Sequence, residues 1–124
     1  MNNQITVVKE FTFDAAHYLP GYDGACANLH GHTYRLQVGV KYSIDPQTGM
    51  VMDFGILKSV IQPIIDRLDH ACLNDIGDNG FPCTLPTAEN MVLWMAEQLL
   101  QVISVLEFIR LYETPTSYAE WRNE

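Results

Sequence analysis

His30-Gly31-His32-Thr33-Tyr34-Arg35-Leu36-Gln37-Val38-Gly39-Val40-Lys41-Tyr42 alternates in character with a period of two. His32, Tyr34, Leu36, Val38, Val40 and Tyr42 share one parity; Thr33, Arg35, Gln37, Gly39 and Lys41 share the other. Held over this length, the period specifies a half-buried strand. Its apolar face opens with histidines. In a strand, residues i and i+2 point to the same side, so His30 and His32 aim both imidazoles at one point; in a helix they would diverge by about 200°.

Upstream, Ile5 to Ala15 reads as a first strand, with Ile5, Val7, Lys9, Phe11 and Phe13 on its more apolar parity. Between the two strands, His17 to Leu29 carries Pro20-Gly21, Asp23-Gly24 and Asn28, which is loop chemistry. If the two strands pair antiparallel across that loop, His17 is brought to His30 and His32 as a third nitrogen donor.

Downstream, Asp45-Pro46-Gln47-Thr48-Gly49 supplies turn residues before Met50-Val51-Met52, which reads as a short returning strand. Asp53 is placed to cap a helix whose stripe is Leu57, Val60 or Ile61, Ile64 or Ile65, and Leu68; Pro63 is expected to kink it without ending it. After a loop rich in Asn, Asp, Gly and Pro, Thr87 caps a second helix with Met91, Trp94, Met95, Leu99 and Val102 as its stripe. Leu106 to Glu113 reads as a last long strand. Strands and helices do not alternate regularly, so the expected class is α+β: an antiparallel sheet with two helices on one face, residues 1–124 forming one domain. Any barrel would have to be built by several subunits.

The 124 residues, nearly half of them apolar, suffice for a real core. A formal net charge of −8 with only seven Lys and Arg argues against general nucleic-acid binding, whose affinity comes from neutralising phosphates. No apolar run approaches the roughly 20 residues of a membrane span, and the N-terminus lacks a signal-peptide layout. A cytoplasmic protein with a small-molecule partner is expected. Cys26, Cys72 and Cys83 form no disulfide framework or paired metal knuckle and read as free thiols.

Three neutral imidazoles, His17, His30 and His32, with a vacant fourth position make a catalytic zinc arrangement, since structural zinc sites are closed by four ligands and rich in Cys. The residues alone leave open that the three are unrelated, because His-x-His is a short motif.

Cys26-Ala27-Asn28-Leu29-His30-Gly31-His32 resembles the Cys-x-x-x-His-Gly-His signature of the 6-carboxytetrahydropterin synthases, relatives of 6-pyruvoyltetrahydropterin synthase. Further blocks in family order are Phe13-Asp14-Ala15-Ala16-His17, Gly49-Met50-Val51-Met52-Asp53-Phe54, Leu68-Asp69-His70, Leu73-Asn74, Pro86-Thr87-Ala88-Glu89-Asn90 and Glu113-Thr114. The resemblance implies a tunnelling-type fold assembled into a homohexamer as a dimer of trimers. It implies that His17, His30 and His32 bind Zn2+, that Cys26 is a general base, that Asp69 and His70 form a second proton-transfer group, and that Glu113 holds the pterin ring. The implied reaction converts 7,8-dihydroneopterin triphosphate to 6-carboxy-5,6,7,8-tetrahydropterin, with release of acetaldehyde and triphosphate, in queuosine (deazapurine) biosynthesis.

Each implied role has a physical basis. A thiol near zinc and histidine is lowered in pKa and can serve as a base. A carboxylate beside an imidazole can orient it. A carboxylate also matches the adjacent donors of a pterin's cyclic amide and exocyclic amine. Relatives often carry Arg or Lys where this chain has Ala27-Asn28, so the phosphate contacts stay unassigned, with Lys9, Arg35, Lys41 and Arg110 as strand-borne candidates. Competing readings are pyruvoyl-type triphosphate elimination, a zinc-dependent hydrolase or aldolase of another small molecule, and a non-catalytic zinc-binding module.

Overall fold

In the computed structural model, which describes residues 2–75 and 85–124, the two long strands pair as their patterns require. β1 (Gln4–His17) and β2 (His30–Ser43) run antiparallel in unbroken register from Gln4↔Ser43 to His17↔His30. β4 (Leu106–Thr114) pairs antiparallel with β2, and β5 (Ser117–Arg122) with β4. A two-residue strand, β3 (Ala71–Cys72), joins β1 in parallel, giving the order β3-β1-β2-β4-β5.

α1 (Phe54–Leu68) and α2 (Ala88–Leu100) pack on the face made by Phe11, Phe13 and Ala15 of β1, Tyr34, Leu36, Val38 and Val40 of β2, and Ile109 and Leu111 of β4. Leu57, Ile61, Ile64, Ile65 and Leu68 are the buried residues of α1. Full burial of each such side chain stabilises by about 1.5–3 kcal/mol. Asp53 caps α1 by accepting from the amides of Gly55 (2.6 Å) and Ile56 (3.2 Å), and Thr87 caps α2 by accepting from Asn90 (3.2 Å). The α1 helix runs through Pro63 without a break.

Three expectations are corrected, and the expected antiparallel sheet is found with one short parallel addition. Met50-Val51-Met52 is not a strand: the chain turns, with the Asp45 amide donating to the Met50 carbonyl, and then enters α1. The last strand is followed by another, β5, on the far edge of the sheet. Val102 is 63 % exposed, because α2 ends at Leu100 and the following turn buries Ile103 instead. The sheet is antiparallel except for β3. The loop expected after α1 lies mostly outside the described residues, as does Cys83.

On the open face of the sheet, Phe108 lies over Gly39, where any Cβ would overlap its ring; the β2–β4 register shifts beside it, between Gly39 and Val40. Along the same face run Arg35 stacked on Tyr112, with 3.9 Å from guanidinium carbon to ring centre, and Arg110 paired to Glu120 at 2.6 Å.

Candidate active site

His17 ends β1 and His30 begins β2, and the two face each other as the last pair of the ladder. His32 follows on the same side of β2, so the three rings converge with centroid separations of 4.6, 5.0 and 4.9 Å. His17 is only 2 % exposed. Its Nδ1 lies 2.8 Å from the Pro86 carbonyl, and His30 Nδ1 lies 2.7 Å from the Asn28 carbonyl. A carbonyl only accepts, so both Nδ1 atoms carry protons, and in the neutral rings both Nε2 atoms present lone pairs. Those two Nε2 atoms sit 3.1 Å apart. His32 Nε2 is buried without a hydrogen-bond partner.

Three imidazoles turned toward one another, two of them fixed by carbonyls behind and the third with a buried, unpartnered Nε2, could hold a divalent cation. Burial, and secondarily the nearby His17 and His30, lowers the pKa of His32 against the opposing pull of Glu113, which keeps the ring in its neutral, ligating form. Among the described residues, ligand atoms mutually within 4.8 Å occur in His17, His30 and His32, without Cys26, and in the exposed group Asp14, Asp69 and His70. The thiol is exposed, on a 3-10 turn at Ala25–Ala27 whose Cys26 carbonyl accepts from the Leu19 amide.

Glu113, near the end of β4, places Oε1 3.7 Å from His32 Nε2 and lines a cleft of about 430 Å³ with Glu89, Tyr118 and Glu120. Tyr34 lies beneath the cluster, its hydroxyl 3.5 Å from His17 Nδ1; burial, and then Glu113, raises its phenol pKa and keeps it protonated.

Asp69 and His70 sit where α1 gives way to β3. Asp69 Oδ1 accepts from the Asp14 amide (3.0 Å) and lies 3.0 Å from His70 Nδ1. The Asp14 amide, and secondarily His70, holds the Asp69 carboxyl below its ordinary range. His70 adopts φ 60°, a left-handed conformation that costs a non-glycine residue energy, and is held there by the hydrogen bond its N–H donates to the Asp14 carbonyl (2.6 Å). The imidazole is 78 % exposed, and it shares a cleft of about 330 Å³ with His32, Gly31 and Cys72.

The fold therefore gathers the three histidines with Glu113 beside them, pairs Asp69 with His70 along one cleft wall, and leaves Cys26 on the loop. The orienting carbonyls of Asn28 and Pro86 were missed from sequence, since a backbone acceptor has no residue signature. Of the phosphate candidates, Arg110 is engaged by Glu120, and Lys41 lies 3.9 Å from Glu107.

Residues 6–124 match the family model described as 6-pyruvoyl tetrahydropterin synthase. A 6-carboxy-5,6,7,8-tetrahydropterin synthase of Haemophilus influenzae is 37% identical, over 94% of this chain and 97% of the relative. A dihydroneopterin monophosphate aldolase of Pyrococcus furiosus is 40% identical, over 75% of this chain and 73% of the relative. The 6-pyruvoyl tetrahydropterin synthase structure from Caenorhabditis elegans superposes with a TM-score of 0.87 at 30% identity, covering 98% of this chain and 96% of that one. By its sequence along almost its whole length and by its fold, this chain belongs to the 6-pyruvoyl tetrahydropterin synthase family.

Proposed function

We propose that the chain is a zinc-dependent lyase that converts 7,8-dihydroneopterin triphosphate to 6-carboxy-5,6,7,8-tetrahydropterin, releasing acetaldehyde and triphosphate in queuosine biosynthesis. The observation that carries this reading is the three-histidine cluster, set in a chain that matches a 6-carboxy-5,6,7,8-tetrahydropterin synthase over 94% of its length. Zinc held by three imidazoles keeps a coordination position open and supplies Lewis acidity toward substrate hydroxyls.

In this reading the chain's own groups do the rest. Glu113 accepts two hydrogen bonds from the pterin edge, and its 3.7 Å approach to His32 sets that edge beside the metal ligands. Cys26 takes a proton from the substrate side chain as a thiolate. Asp69 holds the Nδ1 proton of His70, which leaves His70 Nε2 as the second proton-transfer atom. The exposed thiol suits a reducing, cytoplasmic setting.

We also read the chain as a homo-oligomer, a hexamer of two trimers. β1 is paired on one side along its whole length, but on the other β3 covers only Ala15 and Ala16. A long open edge of this kind is normally closed by another strand. Light scattering tests it: a monodisperse monomer contradicts the assembly.

Incubating zinc-loaded protein with dihydroneopterin triphosphate and identifying products tests the activity. Acetaldehyde with 6-carboxytetrahydropterin supports the lyase reading, and a retained three-carbon side chain supports pyruvoyl-type elimination. A second reading, aldol cleavage of dihydroneopterin monophosphate, is favoured by the 40% identity to the Pyrococcus furiosus enzyme. Turnover of the monophosphate alone would select it.

A further inference from the structure

The ladder that positions His17 ends abruptly. On one side its last rung is His17↔His30; on the other, β3 pairs only through Ala15↔Ala71 and Ala16↔Cys72. At Tyr18, the next residue, both backbone polar groups turn to one side chain. The Tyr18 amide donates to Asn74 Oδ1 at 3.0 Å, and Asn74 Nδ2 donates to the Tyr18 carbonyl at 2.9 Å.

Ala15 with Ala71, Ala16 with Cys72 and Tyr18 with Asn74 share one offset along the chain, and the hydrogen bond from the His70 N–H to the Asp14 carbonyl keeps the same offset. The Asn74 amide thus stands in for a peptide group and extends the parallel ladder by one more rung, past the ligand. Leu73, inside this segment, is fully buried, and His17 is 2 % exposed. The segment from Asp69 to Asn74 is thereby zipped onto Asp14–Tyr18 from both ends.

We propose that Asn74 is a positioning residue for the metal centre, locking the ligand His17 and the Asp69–His70 pair into one rigid unit. The Pro86 carbonyl fixes the rotation of the His17 ring, whereas Asn74 fixes the backbone from which that ring hangs. Only a side-chain amide has a donor and an acceptor fixed side by side. Asp at this position has no donor for the Tyr18 carbonyl, and Ala has neither group.

The inference rests on His17, His30 and His32 being zinc ligands, and its test separates the two. Zinc affinity is measured by chelator competition, with the absorption spectrum of the Co2+-substituted protein as a geometric readout, for the native chain, Asn74→Ala and Asn74→Asp. No zinc binding by the native chain removes the metal reading itself. With native binding established, Asn74→Ala is expected to bind zinc about tenfold more weakly, the low end of the loss seen when groups behind a ligand are removed. Its Co2+ bands shift, and Asn74→Asp falls between it and the native chain. Native affinity and spectrum in either folded variant, even with a lowered Tm, would reduce Asn74 to a structural residue and overturn the proposal. If neither variant folds, the unmodified protein decides: coupling is reciprocal, so zinc loading must slow hydrogen exchange at the Tyr18 amide. Unchanged exchange there overturns the proposal equally.

Discussion

His17 and His30 face each other with their Nε2 atoms 3.1 Å apart, each with its Nδ1 proton already committed to a backbone carbonyl. With both rings neutral, neither Nε2 can donate to the other, so the pair is arranged to share a third partner.

That arrangement predicts zinc stoichiometry. The native chain should hold one zinc per subunit, and His30→Ala or His32→Ala should abolish tight binding, since two remaining protein ligands rarely retain the ion. Metal analysis after dialysis checks it, and stoichiometric zinc in both variants would refute the assignment.

Cys26 lies outside the ligand group, so Cys26→Ala should keep zinc and fold. As a positioned base it should be worth about two to four orders of magnitude in turnover. Undiminished turnover removes the base assignment. Loss of zinc would instead make the thiol a fourth ligand and favour a structural site.

Arg110 and Glu120 give a pH signature. The Arg110 hydrogen bond is the main reason the Glu120 carboxyl lies below its ordinary value of 4.5. A carboxyl with a depressed folded pKa contributes stability above its unfolded pKa and loses it as pH falls through the folded pKa. Arg110→Gln should therefore lower stability at neutral pH by about 0.2–1 kcal/mol, as for an exposed pair. Urea midpoints at neutral pH and near about pH 3 should show the gap closing in acid. A gap that stays constant or widens contradicts the assignment.

Gly39 predicts a packing penalty. Its missing Cβ is the space that the Phe108 ring fills, so Gly39→Ala should destabilise by about 1–3 kcal/mol, the usual range for an overpacked site. Adding Phe108→Leu should recover part of the loss. Thermal denaturation of the two variants beside the native chain checks this, and an unchanged Tm for Gly39→Ala shows that the ring moves freely.

The strand carrying His30 and His32 was legible because one period of two set its buried face and its converging histidines together, and the Asp53 and Thr87 caps were legible because their side-chain acceptors are local. Met50-Val51-Met52 misled because a short apolar run does not distinguish a strand from a turn that tucks residues against a core; Val51 and Met52 do pack there. Ser117–Arg122 was missed although its alternation of Ala119 and Trp121 inward with Tyr118, Glu120 and Arg122 outward is visible, following the turn at Thr114-Pro115-Thr116. β3 was illegible because two residues hold no period, and Asn74's role because its partner lies 56 residues away.

His17 and His30 are set by the ladder they terminate and by the hydrogen bonds at the two ends of the joining loop, Tyr18 with Asn74 and Asn28 with His30, and not by the stretch between, residues 19–27. Loop closure grows only slowly with length, each doubling costing about 0.6 kcal/mol. Insertions or deletions in that loop can therefore accumulate while the imidazoles stay where they are, and what such changes move is the thiol of Cys26. With the thiol as the base and the three imidazoles as the ligands, as proposed, a lineage built on this scaffold would retune which bond is broken by resizing one loop, without having to reinvent its metal centre.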